Sequence, residues 1–329
     1  MAKPTKAGEV ARQYCVRHPD VCTRTLANML YRDHPSLFKS WETARSRVRY
    51  YRKENGRESR ETIGEELVVP TDKQCRLTIP ESDAEPIEPY HFTVVGRGLI
   101  CGDIHLPYHD KAALESTLEY ALSHEYTDWI ILNGDILDAY QVSKFVRDPR
   151  KRSFKAELEM LQSFLRQLKT AWPVVIYKCG NHEQRYWNYM LVKAPELVGI
   201  DALEFEELAG LREIGVEYVA PHQVIYAGEL TILHGHEYGR SMFSPVNPAR
   251  GAFLRAHACT VSGHLHRGSH HPEPDVRRRL TSCWSHGCLC DLTPEYAPLN
   301  KWNQSFILMD WDGDWFEINP KSFLKGRVV

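Results

Sequence analysis

Five short apolar runs in this chain each end in a cluster of polar side chains beside a glycine, and that recurrence constrains the fold more than any other feature. The runs close in Cys101-Gly102-Asp103-Ile104-His105, Asn133-Gly134-Asp135-Ile136-Leu137-Asp138, Gly180-Asn181-His182-Glu183, His234-Gly235-His236 and Gly263-His264-Leu265-His266. Asp103 and His105 stand two apart, as do His264 and His266, so each pair shares one side of an extended segment. A single Gly-Asp is a common turn, and a single Gly-His is more often a hydrogen-bonded structural histidine than a ligand. The ordered set is what carries weight. In a layered α/β protein, ligands gather at the carboxyl ends of strands, so these five ends are expected to meet.

The intervening pattern supports such a fold. A strand ending at Cys101, a helix over Ala112–Ser123, a strand at Trp129–Leu132, a helix over Phe154–Thr170 and a strand at Val174–Lys178 alternate in the α/β manner. A helical region around Ala202–Leu211 follows. Short β runs come next at Val216–Val219, Leu230–Leu233, Ala258–Val261, Arg279–Cys283, Phe306–Asp310 and Trp315–Ile318, so the second half is expected to be mainly β.

The seven donors Asp103, His105, Asp135, Asn181, His234, His264 and His266 are imidazoles and oxygens with no cysteine among them. Such a set suits Mn, Fe, Zn or Mg rather than a thiolate site. Seven donors exceed what one ion with an open position accepts. Two ions sharing a bridging carboxylate resolve this, and two metals ~3.5–4 Å apart are the usual clamp for in-line attack on phosphorus. Phosphoester hydrolysis is the expected chemistry. Cys283, Cys288 and Cys290 lack a fourth ligand at a spacing usual for structural zinc.

Together, Asp103-Ile-His105, Gly134-Asp135, Gly180-Asn181-His182-Glu183, His234 and Gly263-His264-Leu265-His266 resemble the five ordered motifs of the calcineurin-like metallophosphoesterase superfamily, from roughly Gly98 onward. The resemblance implies a four-layer α/β/β/α sandwich. It implies one metal held by Asp103, His105 and His266, a second by Asn181, His234 and His264, and Asp135 bridging them. The implied mechanism is attack on phosphorus by a water or hydroxide shared by two divalent ions, with Mn²⁺ favoured for assay. His182, beside a ligand but not a ligand in the family, is expected to stabilise developing charge or to protonate the leaving oxygen.

Four neighbours carry secondary expectations. Glu183 is read either as a carboxylate holding the His182 tautomer or as a first-turn acidic residue of the following helix. Arg185 is read either as a phosphate fork or as a surface helix arginine. The family pattern favours His234 over His236 as ligand, leaving His236 to support the site or contact substrate, and Asp138 is a supporting group. Serine/threonine protein phosphatases share Gly-Asn-His-Glu but have glycine after the first Asp-x-His and Asp-Arg-Gly after the second aspartate. This chain reads Leu106-Pro107 and Asp138-Ala139-Tyr140, so a phosphatase of that type is not expected.

Charge divides the chain further. Residues 1–60 hold 14 Lys and Arg against 6 Asp and Glu, whereas the remaining residues hold 27 against 37. Short helices are predicted over Ala7–His18, over Arg24–Arg32 after Thr23, and over Trp41–Glu54 after Ser40, with Gly56 as the stop. In the last, Trp41, Ala44, Val48 and Tyr51 share a face, while Arg45, Arg47, Arg49, Arg52 and Lys53 cover the others. Two readings of that basic surface stand: a nucleic-acid contact, or a solvated face meeting the protein's own body or a partner. The connection Asp33–Lys39 is longer than a helix-turn-helix turn. The expected organisation is a small all-α basic module at 1–60, an acidic, proline-rich linker at 61–90 and a catalytic domain at 91–329.

The basic module, the run GDILDAYQVSKF and the segment Tyr296–Trp302 look like metallophosphatases of phages and bacteria, which points to a nucleotide or nucleic-acid substrate. A protein or small-metabolite phosphatase, with the N-terminal module serving assembly, is the alternative. The start MAKPTKAGEV lacks the apolar stretch of a secretory signal, and the odd number of cysteines, nine, suits a reducing compartment, so a cytoplasmic location is expected. No apolar run approaches the roughly 18 residues of a membrane span.

Overall fold

The computed structural model describes residues 5–52, 80–239 and 246–329. It contains two compact units, Met1–Ala84 and Glu85–Val329. Gly56, Lys53 and most of the 61–90 segment lie outside the described residues, and 80–89 has no regular secondary structure.

The first unit comprises α1 (Lys6–Arg17), α2 (Thr23–Asp33) and α3 (Trp41–Tyr51). The Thr5 hydroxyl accepts from the Gly8 N–H and the Ser40 hydroxyl from the Thr43 N–H, so both helices start where a side chain satisfies an orphan donor. The second helix starts one residue earlier than expected, at Thr23, with Cys22 preceding it and no side-chain cap. Leu26, Leu30, Ala44 and Val48 are fully buried, and Trp41 and Tyr51 pack against them, as the helical spacing of α3 requires. Two cations of the basic surface serve this unit's own packing. Arg52 donates to the Thr23 hydroxyl at 3.2 Å and to the His18 carbonyl at 3.0 Å. Arg45 lies 5.4 Å from the Trp41 ring centre.

The second unit is built on two sheets. Its strands are β1 (Tyr90–His91), β2 (Gly96–Cys101), β3 (Trp129–Asn133), β4 (Val174–Lys178), β5 (Glu217–Val219), β6 (Ile225–Ala227), β7 (Leu230–Ile232), β8 (Thr260–Ser262), β9 (Ser269–Pro274), β10 (Leu280–Ser285), β11 (Ser305–Trp311), β12 (Phe316–Leu324) and β13 (Arg327–Val328). The seven-stranded sheet runs β13-β12-β11-β2-β3-β4-β5, and the six-stranded sheet runs β1-β6-β7-β8-β10-β9. From β2 to β5 the pairings are parallel, as are β7 with β8 and β8 with β10.

The alternation of side chains along β2 to β4 explains the layers. Leu99, Cys101, Ile130, Leu132, Val175 and Tyr177 point into one core, with Leu158, Leu161, Leu165 and Leu168 of a helix on that face. Ile100, Trp129, Ile131 and Ile176 point the other way, against Ile225, Ile232 and Val261 of the second sheet. Strands buried on both faces read as continuous apolar runs, which is why these three were legible. The helices over the first sheet are α4 (Lys111–Ser123), capped by Asp110, and α5 (Phe154–Ala171), capped by Ser153. A helix α6 (Gln184–Lys193) follows β4, and α7 (Pro248–Ala256) covers the second sheet through Ala249 and Ala252 against Cys283. The result is the expected four-layer α/β/β/α sandwich.

Departures from the expected elements are local. The helical region expected around Ala202–Leu211 is present as three short helical segments, at Asp201–Leu203, Phe205–Leu208 and Leu211–Ile214. The strands β1, β6, β9 and β13 and the helix α7 were not anticipated. β9 carries Pro272 and Pro274 and lies at the edge of its sheet, where a missing N–H is tolerated. The cysteines among the described residues are free thiols. No helix among the described residues is long and apolar enough to cross a membrane.

Candidate metal centre

The five polar clusters lie at the carboxyl ends of β2, β3, β4, β7 and β8, three strands of one sheet and two of the other. Backbone bonds tie the ends together. The Asp103 N–H donates to the Gly134 carbonyl at 3.0 Å, the His105 N–H to the Asp135 carbonyl at 3.0 Å, and the Gly263 N–H to the His234 carbonyl at 2.8 Å. Such close approach leaves no room for side chains beside the donors. A Cβ on Gly180 would sit 2.2 Å from Asp135 Oδ1, and one on Gly134 would sit 2.3 Å from His234 Nδ1. Asp103, His105, Asp135, His264 and His266 all have φ between 50° and 69°, the left-handed region that costs non-glycine residues free energy and that clusters at functional sites.

Each carboxylate commits one oxygen to the scaffold and aims the other inward. Asp103 Oδ2 accepts from the His264 N–H at 2.9 Å, and Asp135 Oδ1 accepts from the His182 N–H at 2.9 Å. The free oxygens then face imidazoles: Asp103 Oδ1 is 3.2 Å from His266 Nε2, and Asp135 Oδ2 is 3.3 Å from His234 Nε2. Asp103 Oδ1, His234 Nε2 and Asn181 Oδ1 are buried and have no hydrogen-bond partner among the described residues. His234 donates its Nδ1–H to the Asn133 carbonyl at 2.8 Å, which turns Nε2 towards the centre as the atom that takes a proton or a metal. A ligating histidine is held this way, by its other nitrogen. His105 Nε2 and His266 Nε2 stand 3.1 Å apart.

The ligand atoms of Asp103, His105 and Asp135 lie within 4.8 Å of one another, as do those of Asp135, His234 and His264. Asp135 is shared by both groups. Buried oxygens without partners and imidazoles facing one another need a cation among them, so the residues fit divalent metal. The electrostatics agree. Burial lowers the His234 imidazole, but the Asp135 carboxylate reverses this and holds it up at about 10. Burial raises the Asp135 carboxyl, and the His234 and His182 rings outweigh it and hold it well below the usual range. A metal ion replaces the proton that such a site draws in.

His182 lies at the rim of this cluster. Its Nδ1 is 3.1 Å from Asp138 Oδ1 and 3.0 Å from the Asp138 carbonyl, so Nδ1 carries the hydrogen. Its Nε2 accepts from Arg185 Nη2 at 2.7 Å. Asp138 Oδ1 is also 3.3 Å from His105 Nδ1. Asp138 thus stands between a candidate ligand and the candidate proton donor. Arg185 is not a surface arginine, because Nη1 donates to the Asp138 carbonyl at 2.8 Å.

Glu183 does not hold the His182 ring. Its Oε1 accepts from the N–H groups of Ile136 and Leu137 at 2.9 and 3.0 Å and from the Tyr177 hydroxyl at 2.8 Å. Its Oε2 accepts from the N–H groups of Gly180 and Asp135 at 2.8 and 3.2 Å. Asp138 takes the place expected for it at the ring, and Glu183 clamps the β3 loop to the β4 loop. His236 reaches the site from the other side, its ring 5.3 Å from that of His234. Neither of its ring nitrogens has a hydrogen-bond partner among the described residues, and it lines a cavity of about 510 Å³ with Asn181 and His264.

Sequence reasoning missed three contributors. His286, at the end of β10, is fully buried, donates Nδ1–H to the Gly287 carbonyl at 2.7 Å and accepts at Nε2 from Asn133 Nδ2 at 3.0 Å. Both nitrogens are satisfied, so it is a scaffold histidine, though Ser285-His286-Gly287 repeats the run-then-glycine signal of the other ends. Cys290 Sγ lies 3.9 Å from His266 Nδ1, so a thiol does border the centre. Lys178 is fully buried and pairs with Glu237 at 3.0 Å. Glu237 in turn accepts from the N–H groups of His234 and Gly235 at 3.2 and 2.7 Å, which fixes the His234 turn.

The family model described as calcineurin-like phosphoesterase matches residues 97–288, more than half of the chain, and the chain belongs to that family. No curated protein matches it. Solved structures similar to it include Vacuolar Protein Sorting 29 (Vps29) from Cryptosporidium parvum, at TM-score 0.40 and 16% identity over 71% of this chain and 94% of that one. Vps29 from Chaetomium thermophilum gives TM-score 0.36 and 14% identity over 71% and 94%. Wild-type Vps29 from Entamoeba histolytica complexed with zinc gives TM-score 0.38 and 13% identity over 71% and 96%.

Proposed function

We propose that this member of the calcineurin-like phosphoesterase family is a two-metal phosphoesterase that hydrolyses a phosphomonoester or phosphodiester of a nucleotide or nucleic acid. The observation that carries the reading is the convergence of buried donors without partners, Asp103 Oδ1, His234 Nε2 and Asn181 Oδ1, around the shared Asp135. In this reading Asp103, His105 and His266 hold one divalent cation, Asn181, His234 and His264 the other, and Asp135 both. The bound ions supply charge that neutralises phosphoryl oxygens and lowers the pKa of water.

The chain's own residues do the rest. Asp138 fixes the His182 ring through Nδ1 and so turns Nε2 outward. Arg185, 2.7 Å from that Nε2, brings a guanidinium to the place where negative charge develops, and its move onto a phosphoryl oxygen frees Nε2, an acceptor in this tautomer, to take up the proton released by the attacking water and pass it to the leaving oxygen. Glu183 and the Lys178–Glu237 pair keep the loops from relaxing apart, so the donors stay preorganised.

Hydrolysis of p-nitrophenyl phosphate and of bis(p-nitrophenyl) phosphate with Mn²⁺ tests the reading. Turnover of at least one ester is expected, with its loss in Asp135→Asn and in His264→Ala. Metal-loaded protein that turns over neither ester class nor DNA overturns it.

The N-terminal helices fit a nucleic-acid substrate through their excess of basic residues. If they contact it, full-length protein binds DNA with a steep dependence on salt, and deletion of residues 1–60 removes that binding. Unchanged binding after the deletion assigns the module to assembly instead.

A further inference from the structure

Beside the His105–Asp138 edge of the centre lies a cavity of about 250 Å³ that none of the metal or phosphate chemistry uses. Aromatic rings dominate its lining: Tyr108, Tyr140, Tyr296 and Trp302. The rings of Tyr108 and Tyr140 meet edge-on with centres 6.4 Å apart, and Tyr296 and Trp302 do so at 6.1 Å. Trp302 also lies edge-on to the His266 ring at 4.2 Å, so this aromatic group begins at the proposed ligands themselves. Tyr296 is 76% exposed, an open aromatic surface facing the cavity.

The charges around the cavity decide what it can take. Asp138, Asp291 and Glu295 line it against one cation, Lys151. Three carboxylates repel a second phosphate, so the occupant is the uncharged part of the ester. A planar ring system stacks on exposed tyrosine and tryptophan faces, and carboxylates at the edge accept hydrogen bonds from ring N–H groups and exocyclic amines. A nucleobase has both properties. The cavity borders the centre through His105 and Asp138, and a phosphomonoester has a single organic substituent, which departs with the alcohol oxygen, so a base seated here belongs to the leaving nucleoside.

We propose that this cavity binds the base of a leaving nucleoside, and that the substrate is a nucleoside phosphate cleaved to the free nucleoside and inorganic phosphate. Water supplies the oxygen that joins phosphorus, the bond from phosphorus to the nucleoside oxygen breaks, and a proton from that water ends on the nucleoside oxygen. The inference rests on the phosphoesterase reading for the reaction, but the cavity is tested separately by binding.

The experiment measures adenosine binding to full-length, Mn²⁺-loaded protein by equilibrium dialysis, with N-acetyltyrosinamide as the single-ring control. Adenosine is expected to bind more tightly than the control. Tyr296→Ala and Tyr140→Ala each weaken adenosine about tenfold, the equivalent of ~1.4 kcal/mol of stacking, and Tyr296→Phe restores it. Adenosine that binds no better than the control, or equally well to both alanine variants, overturns the proposal. Phosphate release from adenosine 5′-monophosphate and from glycerol phosphate separates the two readings. If adenosine binds as described while neither ester is cleaved, the cavity stands and the phosphoesterase reading falls. If both esters are cleaved with equal kcat/KM and adenosine does not bind, the reverse holds.

Discussion

Asp103 Oδ1 and His266 Nε2 stand 3.2 Å apart, both buried, and the oxygen makes no hydrogen bond. His234 Nε2, 3.3 Å from Asp135 Oδ2, is likewise without a bond. Two donor sets at hydrogen-bond distance without hydrogen-bond geometry are aimed at common points rather than at each other. An unsatisfied buried polar group costs roughly 1–3 kcal/mol, so the folded chain carries this arrangement at some expense of stability.

Metal should recover that stability. A single ion present at about 100 times its dissociation constant adds ~2.7 kcal/mol to the folded state. For a domain of this size, that corresponds to a rise in Tm of roughly 5–10 °C. Calorimetry of protein treated with EDTA and then reloaded with Mn²⁺ reads the shift, which should shrink by more than half in Asp135→Asn because that carboxylate serves both groups. Melting curves that coincide with and without metal would refute the two-metal centre.

Glu183 should behave as a structural residue. Its two oxygens accept five hydrogen bonds, four of them from backbone N–H groups of the loops that carry Asp135 and Asn181. Glu183→Ala leaves those donors buried and unpaired, and a loss above ~3 kcal/mol is expected in urea unfolding. If the residue served only to orient His182, the urea midpoint of the variant would match the wild type while turnover fell.

The buried pair of Lys178 and Glu237 makes a third test. Removing one partner strands the other charge, so Lys178→Met should cost about 3–5 kcal/mol. The double variant Lys178→Met/Glu237→Gln should regain part of this, and a double-mutant cycle measures how much. Burial raises the Glu237 carboxyl, but Lys178 outweighs it and holds the group at about 2, against an ordinary value of 4.5. The folded value is depressed, so the pair's contribution is complete above pH 4.5 and is lost as pH falls towards 2. Stability of wild type and Glu237→Gln should therefore converge across that window.

How much of this was legible in the sequence follows from what each residue does. The proposed donors Asp103, Asp135, Asn181, His234, His264 and His266 stand out because metal chemistry would demand both their type and their place after an apolar run. Strands β2, β3 and β4 were legible because burial on both faces makes them apolar in succession, over Leu99–Cys101, Trp129–Leu132 and Val174–Tyr177. The supports were not. Lys178 looked like the polar end of a strand, and only the fold shows its ammonium reaching the carbonyls of Ala220 and Pro221 at 3.2 and 2.7 Å. Glu183 stands in a motif whose neighbours Asn181 and His182 are proposed site residues, and its partners are loop amides that carry no signature in side-chain sequence. Arg52 looked like part of a charged face because helical spacing reports direction, not the carbonyl of His18 at the end of another helix.

Glu157 offers the sharpest pH test in the molecule. It sits in α5 fully buried, and neither of its carboxyl oxygens has a hydrogen-bond partner among the described residues. Burial, and then the nearby Asp138 charge, push its carboxyl up from 4.5 to about 8. The folded value is raised, so the native state holds this proton where the unfolded chain releases it. The stability this confers is complete below pH 4.5 and is lost as pH rises through 8. Glu157→Gln keeps the shape and cannot ionise. Its stability relative to wild type should therefore grow between pH 4.5 and 8, with a slope of up to about 1.4 kcal/mol per pH unit. Urea unfolding of both proteins at intervals across that range measures the slope. Parallel curves would mean that Glu157 stays ionised in the fold, and that a counter-charge or water satisfies it.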